Sequence, residues 1–278
     1  MSISGGFDKA IIAGQEVGCT AIQIFTKSNR QWSAKPIAPQ DAEAFKQQQQ
    51  SSHIRLTVAH ACYLINLAAE NKEVREKSIE ALSIEIQRCN ILAIPYLVLH
   101  PGSGGKQPEY QSIAHVIHGL NRALELSNTQ NITVLLETMA GQGSNIGSQF
   151  EQLAAIREKS EYKNNIGTCV DTCHIFAAGN DLRTPETYKA TWDLFDVVAG
   201  ISTIKVIHCN DSKKDLGSRV DRHEHIGQGK LGLEPFRLIM NDKRFIDVAK
   251  IAETPKDENN PLESDRINIA TLKSLIKE

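Results

Sequence analysis

The chain has 278 residues, 41% of them hydrophobic and 23% charged, with a formal net charge of -2 at pH 7. No apolar run approaches the roughly 20 residues that span a bilayer, and residues 1–6 lack the basic and apolar stretches of a secretion signal. We therefore expect a cytoplasmic protein without a membrane anchor. The length is typical of one α/β barrel and predicts a single domain over residues 1–278.

Short runs rich in Ile, Val and Leu alternate along the chain with amphipathic stretches of helical length. This alternation predicts a parallel sheet covered by helices on its outer face. The predicted strands are Ala21–Phe25, Ile54–Ala59, Tyr96–Leu99, Ile132–Leu136, Ile166–Val170, Ile204–Ile207 and Val248–Ala252. The predicted helices are Phe7–Val17, Gln40–Ser51, Val74–Leu92, Tyr110–Ser127, Gln149–Lys159, Pro185–Ala199, Leu233–Met240 and Glu263–Ile276.

The order of these elements predicts an α/β fold of the TIM-type (β/α)8 barrel class. A closed barrel of this class has eight strands, each followed by a helix. This sequence opens with a helical pattern and contains seven strand patterns. We therefore expect a barrel whose first strand is missing from the chain.

Six cysteines are spread along the chain without a CxxC pair or a regular spacing. This distribution indicates reduced thiols rather than a disulfide framework or a zinc ribbon. Cys19, Cys89, Cys169 and Cys209 lie in apolar stretches, and we interpret them as small core residues.

A potential metal ligand directly follows six of the seven predicted strands. Taken singly, a histidine there is more often structural and a carboxylate is often a helix N-cap. All strand ends of a parallel barrel lie on one face, however, and burying several carboxylates and imidazoles together without a cation is costly. The six residues are His60, His100, Glu137, Asp171, His208 and Glu253.

Two further Asp and His pairs extend this set. Asp171 and His174 lie where a strand gives way to a turn, and Asp221 and His223 lie in a loop. The alternative for each pair is an aspartate that caps a turn and a solvent-exposed histidine. Histidine and carboxylate donors without thiolate favour Zn²⁺, with Mn²⁺ possible at one site, and the full set exceeds what one tetrahedral ion uses. The sequence thus predicts a multinuclear site.

A cluster of divalent ions suits phosphodiester hydrolysis, because the ions lower the pKa of a bound water and stabilise charge on the phosphoryl oxygens. Sugar isomerisation on a similar barrel is the nearest alternative. No nucleotide cofactor is expected: the GxGxxG match Gly227-Gln-Gly-Lys-Leu-Gly232 follows a polar run rather than a strand.

Several ordered segments point to one known family. They are Phe25-Thr-Lys-Ser-Asn-Arg-Gln-Trp32, His60-Ala-Cys-Tyr-Leu-Ile-Asn-Leu67, His100-Pro-Gly-Ser103, Glu137-Thr-Met-Ala-Gly-Gln-Gly-Ser-Asn145, Asp171-Thr-Cys-His174, His208-Cys-Asn-Asp211, Gly217-Ser-Arg-Val-Asp-Arg-His223 and Glu253-Thr254. With these segments the chain resembles endonuclease IV, the zinc-dependent family of abasic-site endonucleases.

The resemblance implies three zinc ions. His60, His100 and Glu137 match the ligands of the first ion. Glu137 matches a bridge to a second ion held by Asp171, His208 and Glu253, and His174, Asp221 and His223 match the ligands of the third. With Glu137 and Glu253 as catalytic carboxylates, the implied reaction is DNA repair. The phosphodiester 5′ to an abasic sugar in duplex DNA is hydrolysed, leaving a 3′-hydroxyl and a 5′-deoxyribose phosphate.

The resemblance also implies DNA contacts, and we expect the protein to be a monomer. Arg30, Tyr63 and Leu64 occupy positions whose side chains enter the duplex at the lesion. A nucleotide that has lost its base has also lost its pairing and stacking, so little free energy is needed to extrude it. Extrusion can therefore itself distinguish damaged from undamaged DNA. The alternative makes Tyr63 and Leu64 ordinary core residues. Further phosphate contacts are expected among loop cations, whose alternative is simple solvation: Lys27, Lys213, Lys214, Arg219 and Arg222.

Two departures from the family pattern bear on these expectations. His225 stands where a small polar residue is usual and is an alternative to His223 as a ligand, but the Asp-x-His spacing favours Asp221 and His223. Family members have a strand ending in Gly-x-His before the segment that aligns with Ser2–Gly6, and without that strand the sheet has exposed edges. Besides the endonuclease, two alternatives stay open: a protein that binds abasic DNA without turnover, and a metal-dependent sugar isomerase. An isomerase would have no need of Arg30, Tyr63 or Leu64.

Overall fold

Seven parallel strands form the main sheet in the computed structural model of the chain, which describes residues 1–129 and 131–277. These strands are β1 (Ala21–Phe25), β2 (Leu56–His60), β3 (Tyr96–Leu99), β4 (Thr133–Glu137), β5 (Ile166–Asp171), β6 (Ile204–His208) and β9 (Ala249–Ile251). Each pairs in parallel with the next one in that order. A short antiparallel pair, β7 (Asp211–Ser212) with β8 (His223–Glu224), lies beyond the end of β6.

Helices connect the strands and cover the outer face of the sheet. They are α1 (Phe7–Glu16), α2 (Pro39–Gln50), α3 (Lys72–Ile91), α4 (Glu109–Ser127), α5 (Phe150–Lys159), α6 (Thr172–Ala178), α7 (Pro185–Ala199), α8 (Glu234–Asn241) and α9 (Pro261–Ser274). Two of them begin at residues with an identifiable local signal. The Asn71 side chain accepts the Val74 N–H at the start of α3, and α7 begins at a Thr184 cap followed by Pro185.

The strands bury both faces, as expected for a parallel barrel. Alternate residues such as Ile22, Ile24, Leu97 and Leu99 pack outward against the helices. The residues between them form a separate apolar layer inside the barrel: Val58, Val98, Leu135, Cys169, Val206 and Ile251. Because side chains of a strand alternate between its faces, the residue two positions further along each strand also points into the barrel.

The barrel is open between β1 and β9. These two strands are the edges of the seven-stranded sheet, and no ladder pairs their described residues. A cavity of about 470 Å³ lies between them, lined by residues of both strands and of α9, including Ile22, Ile24, Ile251 and Ile269. The seven-stranded barrel predicted from the sequence is therefore confirmed.

The strand and helix predictions agree with the structure to within a few residues, with two exceptions. The segment after Asp171, where the sequence predicted that a strand gives way to a turn, forms α6, and β7 with β8 replaces part of a predicted loop. Both elements are too short to produce a hydrophobic period. The predicted core cysteines are buried and free. Among the described residues, no helix is long and apolar enough to cross a membrane.

Candidate functional site

The candidate ligands form a polar layer directly above the apolar layer of the barrel interior. His60 follows Val58 by two positions on β2, Glu137 follows Leu135 on β4, and His208 follows Val206 on β6. The same spacing relates Asp171 to Cys169 and Glu253 to Ile251. Period-two alternation along parallel strands therefore brings together donors that are far apart in sequence.

The first donor group consists of His60, His100 and Glu137. The Oε2 atom of Glu137 lies 3.2 Å from Nε2 of His60 and 3.0 Å from Nε2 of His100. The turn after His100 requires glycine: Gly102 has a φ of +114°, and a Cβ there would lie 2.2 Å from the Asn66 side-chain oxygen. Three donors thus converge from β2, β3 and β4.

The second donor group shares Glu137 with the first and adds Asp171, His208 and Glu253. Nδ1 of His208 lies 3.0 Å from Oε1 of Glu137, 3.1 Å from Oε2 of Glu253 and 3.8 Å from Oδ2 of Asp171. Glu137 therefore turns one oxygen to each group. This is the geometry of a carboxylate that bridges two cations.

The third expected group is also brought together. Asp221 Oδ2 lies 3.1 Å from Nε2 of His174, and Asp221 Oδ1 lies 3.3 Å from Nε2 of His223. Both Nε2 atoms are buried and make no hydrogen bond with any described residue, although a carboxylate stands beside them. Buried ring nitrogens that lie beside a carboxylate and make no hydrogen bond are typical of ligands to a divalent cation rather than of structural core residues. Asp171 and Cys173 also offer donors close to His223.

Four of the five site histidines have one ring nitrogen fixed by a carbonyl oxygen. Such a bond holds a hydrogen on that nitrogen and aims the other nitrogen at the site, as is usual around metal ions. The pairs are His60 Nδ1 with Ala61 O, His174 Nδ1 with Thr138 O, His223 Nδ1 with Glu253 O, and His208 Nε2 with Gln23 Oε1. The arrangement of hydrogen bonds therefore fits a metal centre.

The buried carboxylates and imidazoles strongly shift one another's pKa. Burial raises the pKa of the Glu137 carboxyl, but the His208 and His100 imidazoles hold it well below its usual value. Burial lowers the pKa of His208, but neighbouring groups, Glu253 and Glu137 among them, hold it well above its usual value. The pKa of His174 is shifted upward in the same way by Asp171 and Asp221, against the effect of burial. Charges of the two signs thus balance one another within the site.

Two polar residues of the site received no role in the sequence analysis. Gln23 bonds both His208 and Glu253. Asn210 donates to Asp171 Oδ2 over 2.6 Å and accepts the Glu253 N–H over 2.7 Å. The signal for Gln23 was a glutamine in the middle of an otherwise apolar strand. Asn210 lay inside the segment His208–Asp211 with nothing to distinguish it.

The expected DNA-contacting residues lie around the mouth of the barrel. Tyr63 is 58% exposed, and its ring centroid lies 6.0 Å from that of His100. Leu64 is half-buried against the core, and Arg30 is exposed. Tyr63 is therefore a surface residue beside the donors, whereas Leu64 combines core packing with partial exposure.

The structure changes the expectation for Lys27, whereas His225 lies where the Asp-x-His spacing indicated, outside the donor groups. Lys27 is buried, with its ammonium group 3.2 Å from Glu85 and 2.6 Å from the Gln31 carbonyl oxygen, so it is not available to DNA phosphates. His225 turns its Nδ1 to the Asn268 amide at 3.0 Å instead of joining the donor groups. The remaining expected phosphate contacts, Lys213, Lys214, Arg219 and Arg222, are exposed.

Comparisons with known proteins find relatives along the whole chain. The family described as xylose isomerase-like TIM barrel matches residues 11–275. A probable endonuclease 4 of Chloroflexus aurantiacus is 50% identical over 277 residues, which cover 100% of this chain and 96% of the relative. The crystal structure of endonuclease IV from Thermus thermophilus superposes with a TM-score of 0.88 at 35% identity, over 99% of this chain and 96% of that one.

A D-tagatose 3-epimerase-like protein also superposes, with a TM-score of 0.68 over 99% of this chain and 97% of that one, but at 21% identity it shows a shared fold alone. The Chloroflexus and Thermus proteins are matched along nearly their whole length. The chain belongs to the endonuclease IV family of xylose isomerase-like TIM barrels.

Proposed function

We propose that this protein is a DNA repair endonuclease of base excision repair. It hydrolyses the phosphodiester 5′ to an abasic site in duplex DNA and leaves a 3′-hydroxyl and a 5′-deoxyribose phosphate. The observation that supports this most is Glu137, whose two oxygens face two donor groups at the mouth of the barrel. Damaged double-stranded DNA is the proposed partner, and three Zn²⁺ ions, with Mn²⁺ possible at one site, are the proposed cofactors.

Each proposed ion has its own set of donor residues, and Glu137 belongs to two of these sets. His60 and His100 hold the first with Glu137; Asp171, His208 and Glu253 hold the second with Glu137; His174, Asp221 and His223 hold the third. Bound zinc lowers the pKa of a water and stabilises negative charge on phosphoryl oxygens. Glu137 fixes the spacing of the first two groups, and Glu253, which is 24% exposed at its side chain, faces the opening where the phosphodiester arrives.

The exposed residues at the mouth account for lesion recognition in this proposal. Tyr63 stands beside His60 and His100 with most of its ring open to a ligand. An aromatic ring in this position stacks on the bases that flank an extruded abasic sugar. Arg30 and Leu64 lie on neighbouring loops and complete the proposed contact set.

The test is incision of a duplex that contains one synthetic abasic site, beside the same duplex undamaged. We expect cutting of the abasic strand alone, with the product ends given above. Two other outcomes would replace the proposal. Tight binding of abasic duplex by zinc-loaded protein without incision would indicate a lesion-binding protein, and turnover of free sugars without incision would indicate an isomerase.

A further inference from the structure

Gln23 is a buried polar residue among apolar neighbours. It lies in the middle of β1, at 9% exposure, and in the sheet register it is level with Val58 of the apolar interior layer. Burying an amide is unfavourable unless its hydrogen bonds are satisfied. A glutamine at this level of the barrel interior is therefore expected to have hydrogen-bond partners for both ends of its amide.

Both ends of the Gln23 amide bond candidate metal ligands. Its Nε2 donates to Glu253 Oε1 over 2.6 Å, and its Oε1 lies 2.9 Å from Nε2 of His208. A carboxylate only accepts, so the Glu253 contact identifies the amide nitrogen, and the remaining oxygen needs a donor. Nε2 of His208 must therefore hold a hydrogen.

This hydrogen decides which His208 nitrogen faces the donor group. With Nε2 protonated, the lone pair of a neutral imidazole lies on Nδ1, which is the atom close to Glu137 and Glu253. The same amide occupies Oε1 of Glu253 and leaves Oε2 directed at His208. One side chain thus orients two ligands of the second group.

The other three histidines with one ring nitrogen held by a carbonyl oxygen do not depend on a side chain for their orientation. Their ring hydrogens go to the backbone oxygens of Ala61, Thr138 and Glu253, which a substitution does not remove. His208 alone among these four relies on a side chain. The second group is therefore open to disruption at a position that is not itself a ligand.

We propose that Gln23 is a positioning residue that sets the zinc affinity of the second donor group, through the tautomer of His208 and the orientation of Glu253. This rests on the proposed function only in taking zinc as the ion. It predicts an effect confined to one of the proposed ions, with the His60 and His174 groups left intact.

The test compares two variants with wild-type protein. Gln23→Met keeps the length of the side chain and removes both hydrogen bonds, whereas Gln23→Glu keeps an acceptor for His208 and loses the donor to Glu253. Gln152→Met is the matched control, because Gln152 is also buried and also satisfied at both ends, by Gly147 N and Glu109, neither of which is a candidate ligand. Thermal unfolding verifies that each variant is folded.

Zinc affinity is measured by competition with a chromophoric chelator, and Co²⁺ absorption spectra report the ligand geometry. We expect Gln23→Met to weaken one zinc by about 10- to 100-fold and to change the Co²⁺ spectrum, with the other ions unaffected. Gln23→Glu should weaken the same ion, and Gln152→Met should match wild type. Wild-type affinity for every ion in folded Gln23→Met would overturn the proposal.

The zinc measurement needs no DNA, so the two proposals fail separately. Weakened zinc in Gln23→Met together with a wild-type protein that does not incise abasic DNA would support the role of Gln23 and overturn the proposed function. Incision of abasic DNA by wild type, together with unchanged zinc affinity in Gln23→Met, would support the proposed function and overturn the role of Gln23. In the active enzyme we expect kcat to fall while the KM for abasic duplex stays unchanged.

Discussion

Nδ1 of His208 lies 3.0 Å from Oε1 of Glu137, and both side chains are completely buried. The other oxygen of Glu137 faces His60 and His100, so one carboxylate connects two donor groups. Glu137→Gln replaces the anion with a neutral amide of the same shape. We expect the variant to lose zinc from both groups and to lose incision, measured as zinc per chain and as cleavage of abasic duplex.

A buried carboxylate that is not a candidate ligand is the control for this change. Asp211 is fully buried and accepts the N–H groups of Gly229 and Leu231. Asp211→Asn should lower stability while the folded protein keeps its zinc. A full zinc complement in Glu137→Gln would show that Glu137 is not a ligand.

In the proposed function, the ring of Tyr63 contributes to recognition of DNA rather than to stability. Because it is 58% exposed, Tyr63→Ala should change the free energy of unfolding by no more than about 0.5 kcal/mol. Base stacking is worth about 1–3 kcal/mol per base, which corresponds to a loss of about 5- to 150-fold in affinity for abasic duplex. Binding is measured by fluorescence anisotropy at fixed salt.

Val197→Ala tests whether any exposed apolar residue has this effect. Val197 is 87% exposed near the end of α7, which leads into the amino end of β6, whereas the candidate ligands lie at the carboxyl ends of the strands. This variant should bind abasic duplex as wild type does. Equal losses in the two variants would contradict a specific role for Tyr63.

A buried ion pair holds the two loops that contain Arg30 and Tyr63. Glu85 on α3 lies 3.2 Å from Lys27, and both of its oxygens accept the Cys62 N–H, while Lys27 donates to the Gln31 carbonyl oxygen. Glu85→Gln leaves the lysine charge buried without an opposite charge beside it, which costs about 3–5 kcal/mol. We expect a lower free energy of unfolding in urea and weaker binding of abasic duplex.

The double variant separates the charge from the packing. Lys27→Met with Glu85→Gln removes both charges and keeps an amide oxygen that accepts from Cys62. It should recover most of the stability that Glu85→Gln loses, because no unpaired charge remains. A double variant as unstable as the single one would mean that the ion pair is not the cause.

Zinc uptake should depend on pH through the shifted histidines. The pKa values of His174 and His208 are held well above their usual value, against burial, by the carboxylates around them. A histidine with a raised pKa keeps its proton to higher pH, and zinc must displace that proton, so apparent zinc affinity falls as pH falls. At pH 7 we expect uptake to release at least about one proton per zinc at these groups.

Calorimetry in two buffers of different ionisation enthalpy measures this release. The apparent heat of zinc binding should differ between the buffers in proportion to the protons taken up by each buffer. Identical heats in both would show that these imidazoles are already neutral, in contradiction to the raised pKa values.

The sequence predicted that the candidate ligands converge, because the pattern that identifies each of them lies within a few consecutive residues. The candidate ligands His60, Glu137 and His208 each directly follow an apolar run, and this pattern is visible without the fold. Helix α6 was missed because seven residues are too few for a period, and because Asp171 is at once a candidate ligand and the cap that accepts the His174 N–H.

Other features depend on contacts between distant segments. Lys27 was expected at the DNA surface, yet Glu85 on α3 keeps it inside the protein. Gln23 meets Glu253 only because the edge strands β1 and β9 approach each other, which no local pattern reports. The ligand roles, the single-domain organisation, the monomeric state and the cytoplasmic location stay predictions.

The most direct measurement follows incision of abasic duplex as zinc is returned to metal-free protein. The protein is stripped by prolonged chelation, zinc per chain is determined at each addition, and the cleavage rate is recorded. The account predicts no cutting without zinc and recovery only as the groups joined by Glu137 fill. Full cutting by demonstrably metal-free protein would contradict it.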